Sequence, residues 1–173
     1  MGAEEKAPGP AGWLRRVAIG RNPRRTLLRV SLLVALSLLI FNFALLPIRV
    51  EGISMFPTYR DKGVHFVNRL AYRLAEPKRG DVVAIRYTWI HLMLMKRVVG
   101  LPGETLAFHR GRLYINGQML DEPYVKTSCD WEIAPQQIGP DEYFVVGDNR
   151  SMPEADHMKG RAVRARIMGK IIL

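Results

Sequence analysis

Cysteine is nearly missing from this chain of 173 residues, in which Cys129 is the single example. An intramolecular disulfide is therefore excluded, so the fold must rest on its apolar core, and cysteine usage assigns no redox compartment. Cys129 itself reads as a small, partly buried side chain without a role. Histidine is also scarce. His65, His91, His109 and His157 are scattered, none stands near the nucleophile-elbow context of a Ser-His-Asp hydrolase, and each reads as a surface or strand residue. No group of His, Cys, Asp and Glu has metal-ligand spacing, so neither a metal nor an organic cofactor is expected. Internal repeats and low-complexity tracts are missing too, and beyond Pro47 helical periodicity is nearly absent, with only Arg69 to Leu74 as a possible turn. Acidic residues are in deficit, 16 against 26 basic ones, for a formal charge of +10. That excess carries no nucleic-acid recognition motif and is not interleaved with aromatic residues in a stacking arrangement, so nucleic acid is not an expected partner.

The charge is concentrated where a membrane protein needs it. Residues 1–29 hold Lys6, Arg15, Arg16, Arg21, Arg24, Arg25 and Arg29 against Glu4 and Glu5, half of the whole excess. Residues 30–46 follow without a charge, interrupted only by Ser31, Ser37 and Asn42. At about 1.5 Å per residue this run spans roughly 26 Å as a helix, the lower end of what crosses a hydrocarbon core, and Arg29 can snorkel to extend it. It is apolar on every face, unlike a core helix, and ends in L-L-P-I-R-V, without the small residues of a signal cleavage site. The expectation is a transmembrane helix over 30–47, preceded by a basic cytoplasmic segment over 1–29. Residues 1–10 read as a mobile tail and 13–19 as a short amphipathic piece. Basic residues before the span and only Arg49 close after it place residues 48–173 on the far side of the cytoplasmic membrane, with the bilayer as a partner.

Beyond Pro47 the pattern becomes short β-segments: 63–68, 81–87, 92–100, 105–109, 112–115, 118–120, 142–146 and 161–173. Asn116-Gly117 is a two-residue hairpin signal, since both positions of a type I′ turn need positive φ, and Arg110-Gly111 is a second tight turn just before it. The expected fold class is all-β, a mostly antiparallel domain over 48–173 behind one helix.

The stretch E-G-I-S-M-F-P-T at 51–58 carries the chemistry. Ser54 lies between Gly52 and Pro57, in a segment too irregular for mid-strand, where a hydroxyl can be exposed and backbone N–H groups can converge. A serine hydroxyl needs a base within hydrogen-bond reach. Lys96 is the candidate, because it follows H-L-M-L-M and its same-side neighbours on a strand are Leu94 and Val98. Most lysines are solvated surface charges. In an apolar setting the charged form is penalised, and lowering the pKa from about 10.4 to about 8 takes roughly 3 kcal/mol. The neutral amine can then take the Ser54 proton, the Ser/Lys variant of triad logic.

S-M-F-P-T at 54–58, G-D-V-V at 80–83, K-R-V-V-G-L-P-G-E at 96–104 and G-D-N-R at 147–150 occur in the order and character of the type I signal peptidases, and the resemblance covers nearly all of 50–170. It implies a membrane-anchored serine endopeptidase with a β-rich domain that removes N-terminal signal peptides from exported preproteins. It implies Ser54 as nucleophile, Lys96 as general base and the Ser54 backbone N–H as oxyanion donor, while Gly147, Asp148, Asn149 and Arg150 read structurally, as a turn with a buried ion pair supporting the site. Gly52 stands where some members carry a hydroxyl residue, which removes a second oxyanion donor. Small side chains are implied at the first and third residues before the cut, with the substrate extended along a strand edge. After G-D-N-R the chain departs from the family: Pro153 stands at a serine that helps orient the lysine, Ala155 at an aspartate and His157 at an arginine, with Ser151 or Asp156 the available substitutes. Two other readings are a specialised peptidase for one secreted or pilin-like substrate and a catalytically silent substrate-binding module. Retention of both Ser54 and Lys96 argues against the second of these.

Overall fold

The computed structural model describes residues 22–86 and 93–172. The expected tail over 1–10, the amphipathic piece over 13–19, most of the basic segment and His91 lie outside them. Helix α1 runs Pro23–Leu39 and continues as a π-helical turn over Ile40–Ala44. Pro23 occupies its first turn, where a missing N–H costs nothing and the fixed φ is already helical. Together they form a 22-residue segment, Pro23–Ala44, whose most apolar 18-residue stretch has a mean hydropathy of 2.2 and no buried residue, and which is roughly 30 Å long at a helical rise. The helix therefore starts well before the expected residue 30 and stops short of the expected 47. Apolar content marks the run but not its ends, and its last residues, Leu45 and Leu46, are not helical.

Those residues open strand β1, Leu45–Arg49, whose first three residues the sequence reading counted as membrane span. Pro47 has no N–H to give a ladder and is tolerated because β1 is an edge. The domain continues with β2 (Val64–Asn68), β3 (Val82–Arg86), β4 (Met93–Gly100), β5 (Thr105–His109), β6 (Arg112–Ile115), β7 (Gln118–Met119), β8 (Ile133–Gln137), β9 (Glu142–Val146), β10 (Gly160–Val163) and β11 (Ile167–Ile172). They form a seven-stranded sheet, β1-β2-β11-β3-β4-β9-β10, and a four-stranded sheet, β7-β6-β5-β8. Every pairing described is antiparallel, the fold class expected. The compact unit that holds both sheets begins at Phe43.

Two features differ from the strand pattern read in the sequence. Strand β8 was not foreseen, because I-A-P-Q-Q lacks alternation and contains Pro135. It is again an edge. The single strand expected over 161–173 is two, broken by a 3₁₀ turn at Arg164–Arg166, because the chain leaves β9 on one side of the sheet and re-enters between β2 and β3. Both tight turns are present: Arg110 and Gly111 have φ of 48° and 73°, and Asn116 and Gly117 have 50° and 80°.

Strand β4 positions the site. Met93 to Arg97 pair with β3, and β9 joins only from Arg97 onward, so Met93 to Lys96 have a ladder on one side alone. Met95 packs with Val82, Ala84, Val67 and Met55 in one cluster, and Val98 packs with Val83, Ile85 and Val145 in another. Lys96 lies between them in sequence.

Candidate active site

Ser54 sits in a turn leaving β1. Met55, 1% exposed, and Tyr59 pin this turn into the core, where both pack in the cluster with Met95 and Val82. The turn closes with hydrogen bonds from Phe56 N–H to the Ile53 carbonyl (3.0 Å) and from Tyr59 N–H to the Met55 carbonyl (2.9 Å), neither of which uses the Ser54 N–H. The Phe56–Pro57 peptide is cis. Gly52 has φ of +103° and donates its N–H to Asp61 Oδ1 at 2.8 Å. A Ser or Thr is strained at that φ, so the lack of a second, side-chain oxyanion donor is built into this backbone.

One cleft of about 460 Å³ is lined by both Ser54 and Lys96, with Ile48, Ile53, Met93 and Met95 giving much of its apolar wall. Lys96 is 2% exposed. Burial pushes its pKa down to about 8, and the Asp148 carboxylate, which acts the other way, only partly offsets this. Desolvation wins because, among the described residues, no carboxylate makes a salt bridge with the amine.

The turn 147–150 lies behind the serine. Gly147 is packed so closely that an added Cβ would come within 2.1 Å of the Ser54 carbonyl oxygen. Asn149 donates its N–H to that same oxygen (2.9 Å) and its side-chain amide to the Ile53 carbonyl (3.0 Å). Asp148, fully buried, accepts the Thr58 hydroxyl at 2.6 Å and both arms of the Arg97 guanidinium at 2.8 and 2.6 Å. A single carboxylate thus ties the serine turn to the residue next to Lys96. Arg150 donates Nε to the Gly147 carbonyl at 3.0 Å and forks onto Glu122, which also takes the Tyr124 hydroxyl at 2.7 Å. Arg97 stacks on the Tyr124 ring at 4.0 Å.

Sequence reasoning missed Arg97, Thr58, Glu122 and Tyr124. Arg97 carried a signal, since a basic residue following Lys96 in a strand points to the opposite face and needs its own partner. Glu122 and Tyr124, in an irregular loop, carried none. Of the two substitutes named for the serine replaced by Pro153, Ser151 is turned away, donating its hydroxyl to Asn149 Oδ1 at 2.6 Å. Asp156 is exposed but lines the cleft, while Asp148 is the carboxylate whose charge reaches Lys96. Pro153 and Ala155 are exposed. The reading of His157 as a surface or strand residue is corrected: it is 1% exposed and stacked edge-on against Trp131 at 4.7 Å, because the chain returning toward β10 folds it inward. His65 packs on Tyr59 and His109 pairs with Glu132 at 3.2 Å.

A mostly antiparallel β domain following one apolar helix, with serine and desolvated lysine on one cleft, is the build of a serine endopeptidase. Comparison with known proteins narrows the class. The family model described as signal peptidase, peptidase S26, matches residues 24–172. The probable signal peptidase I-2 of Synechocystis sp. is 32% identical over 127 residues, 70% of this chain and 58% of that protein, so the chain spans a little over half the length of that relative. Signal peptidase I S of Bacillus subtilis is 36% identical over 132 residues, 70% of this chain and 71% of that protein. A solved signal peptidase I from Enterococcus faecalis V583 superposes with a TM-score of 0.47 at 27% identity, covering 56% of this chain and 97% of that one. The chain belongs to the signal peptidase family, peptidase S26.

Proposed function

We propose that this protein is a membrane-anchored serine endopeptidase that removes N-terminal signal peptides from exported preproteins, with Ser54 as nucleophile and Lys96 as general base. The observation that carries the reading is the position of Lys96, buried yet lining the Ser54 cleft, with its pKa near 8. Near that pH much of the amine is neutral and able to accept the Ser54 proton. Ser54 Oγ attacks the scissile carbonyl carbon as its proton passes to Lys96 Nζ, and the Ser54 N–H receives the developing oxyanion. The Lys96 ammonium then returns the proton to the departing amine, freeing the mature chain. Water, deprotonated by the same amine, releases the acyl group from Ser54. Gly147, Asp148, Asn149 and Arg150 act as supports: Asn149 and Gly147 fix the Ser54 carbonyl, and Asp148 and Arg150 hold the turn to β4 and to Glu122.

The apolar segment over 23–44 anchors the chain in the cytoplasmic membrane, with the basic N-terminal segment in the cytoplasm and the β domain outside. Ile53 and Phe56, 54% and 50% exposed beside the serine, offer apolar surface to lipid. The domain boundaries follow as a basic segment, a span and a protease domain beginning near 43–48.

Cleavage of a preprotein with small residues at the first and third positions before the cut, by the detergent-solubilised chain from pH 6 to 10, tests the reading. Turnover is expected to rise through about pH 8 and to fall by on the order of a thousandfold or more in Ser54→Ala and in Lys96→Met. Cleavage undiminished in either variant would refute the assignment of that residue.

A further inference from the structure

The loop between β2 and β3, which the reaction above does not use, holds a leucine out into solvent. Leu74 is fully exposed and Leu70 is 44% exposed. Single exposed leucines are ordinary on a protein surface, but this one is held there by its flanks. Two residues before it, Tyr72 donates its hydroxyl to Asp81 Oδ2 at 2.9 Å and accepts an Arg164 N–H on its carbonyl at 2.6 Å. Two residues after it, Glu76 Oε2 accepts Arg164 Nε at 2.6 Å and the Tyr143 hydroxyl at 2.9 Å. A tip pinned on both sides has no slack with which to fold its apolar side chain back onto the domain.

The loop also starts where the apolar segment ends. Leu45 pairs with Asn68, and one step further Arg69 donates its N–H at 2.8 Å to the carbonyl of Ala44, the last residue of that segment. Strand β11 begins at this same end, because Lys170 pairs with Asn68 and Ile172 with Phe66, and β3 finishes there, because Ile85 pairs with Ile167. The side chains collected at this end are cationic: Arg69, Arg73, Arg86 and Arg166 are all exposed. Against them stand Glu76 and Asp81, already paired with Arg164 and Lys170, and Asp141, whose backbone carbonyl takes the Arg164 N–H. Arg73 and Arg86 have no ion-pair partner among the described residues. Leucines and arginines side by side, next to the mouth of a membrane span, match an interface with phosphate outside and hydrocarbon beneath.

We propose that this end of the large sheet is a docking surface for the anionic headgroups of the bilayer that holds the anchor, with Arg73 and Arg86 meeting lipid phosphate and Leu70 and Leu74 entering the layer beneath. The inference rests on the membrane-anchored reading given above. Each basic residue brought to such a surface favours docking by about fivefold, and salt screens the effect. Ile53 and Phe56 follow the other end of β1, so the two contacts together hold the β1 edge along the bilayer. Ile48 and Arg49 of β1 line the Ser54 cleft, which is thereby kept at one height above the surface. A signal peptide calls for such a height, because its cut lies just past the apolar stretch that stays in lipid.

The test uses the full chain reconstituted in vesicles of phosphatidylcholine alone or of phosphatidylcholine with phosphatidylglycerol. Leu74→Cys in a Cys129→Ser background carries an environment-sensitive fluorophore, and melting curves confirm the fold. The expected result is a label shielded from an aqueous quencher in the phosphatidylglycerol vesicles and wet in phosphatidylcholine or at high salt, with Arg73→Gln and Arg86→Gln each weakening the shielding about fivefold. In the same anionic vesicles Leu74→Asp should lower kcat/KM on the preprotein severalfold, while in detergent it cleaves like wild type. A label wet in both vesicles overturns the proposal. So does shielding indifferent to phosphatidylglycerol and to both arginines, since that contact involves no headgroup, and so does a Leu74→Asp defect equal in detergent and vesicles, which makes the loop structural. An alkaline wash keeps the two failures apart: a chain that washes off the vesicles has no anchor and the inference falls with it, whereas a retained chain with a wet position 74 sinks the docking alone.

Discussion

The four-stranded and seven-stranded sheets are held together in different ways. In the smaller sheet β5, β6 and β7 follow one another through two-residue turns, and Leu106, Phe108, Leu113 and Trp131 pack in one apolar cluster. In the larger sheet β11, from the end of the chain, lies between β2 and β3. Near its cleft, buried cations and a carboxylate stand where apolar side chains would otherwise be: Lys96, Arg97, Asp148 and Arg150. The lesson concerns tolerance. A sheet built of local turns and apolar contacts loses stability piecemeal when one contact is changed. A site built of buried charges fails as a unit, because removing one partner leaves the other charged and dry.

The largest test of that contrast is Asp148→Asn. It keeps the shape but leaves the Arg97 guanidinium without its counter-charge, and the loss expected is about 3–5 kcal/mol, read from denaturant unfolding. The Asp148 charge also holds the Lys96 pKa up against burial. The acid limb of the remaining activity should therefore move to lower pH. An unfolding midpoint equal to wild type would mean that the buried pair contributes no stability and that the two sheets do not differ in the way described.

A change of opposite sign is expected at Lys96. Its folded pKa of about 8 lies below the ordinary lysine value of 10.5, so between those values the unfolded chain holds a proton that the native one has lost. Stability of the wild type must then rise with pH across that window, and below it the buried ammonium carries its full cost. Lys96→Met removes the cost: at pH 7 the variant should be the more stable by up to about 3 kcal/mol, with the gap shrinking toward pH 10. Equal stabilities at pH 7 would show that the amine keeps its hydration, and a base near pH 8 would lose its physical cause.

Legibility in the sequence follows the same division. Asn116-Gly117 and Arg110-Gly111 announce their turns because the constraint, positive φ at adjacent positions, is local. Ser54 and Lys96 were legible for a related reason: an irregular glycine- and proline-bounded serine and a lysine among apolar strand residues are visible within a few positions. Arg97 and Asp148 are 51 residues apart, and Arg150 and Glu122 are 28 apart. Nothing near either member names its partner. His157 sits in a polar stretch, and only the return of the chain toward β10 turns it inward. Strand β8 was missed because it contains a proline, which the pattern reads as a break and an edge strand tolerates, and β1 because Leu45 and Leu46 continue the apolar run and were counted with the span.

The smallest expected effect belongs to the turn-built sheet. Gly117 has φ of 80° and open space around the position a Cβ would take, so Gly117→Ala meets no clash and costs only the backbone penalty of a left-handed conformation, about 1 kcal/mol. The hairpin lies away from the Ser54 cleft in sequence and is absent from its lining. Melting temperature should drop by a few degrees while kcat and KM for preprotein cleavage stay at wild-type values. A clear loss of kcat in a well-folded Gly117→Ala protein would mean that strain in the small sheet reaches the cleft through the apolar cluster that Val99 and Val146 share with Leu106 and Phe108. The two sheets would then be one mechanical unit, and the separation between a tolerant sheet and a brittle site would no longer hold.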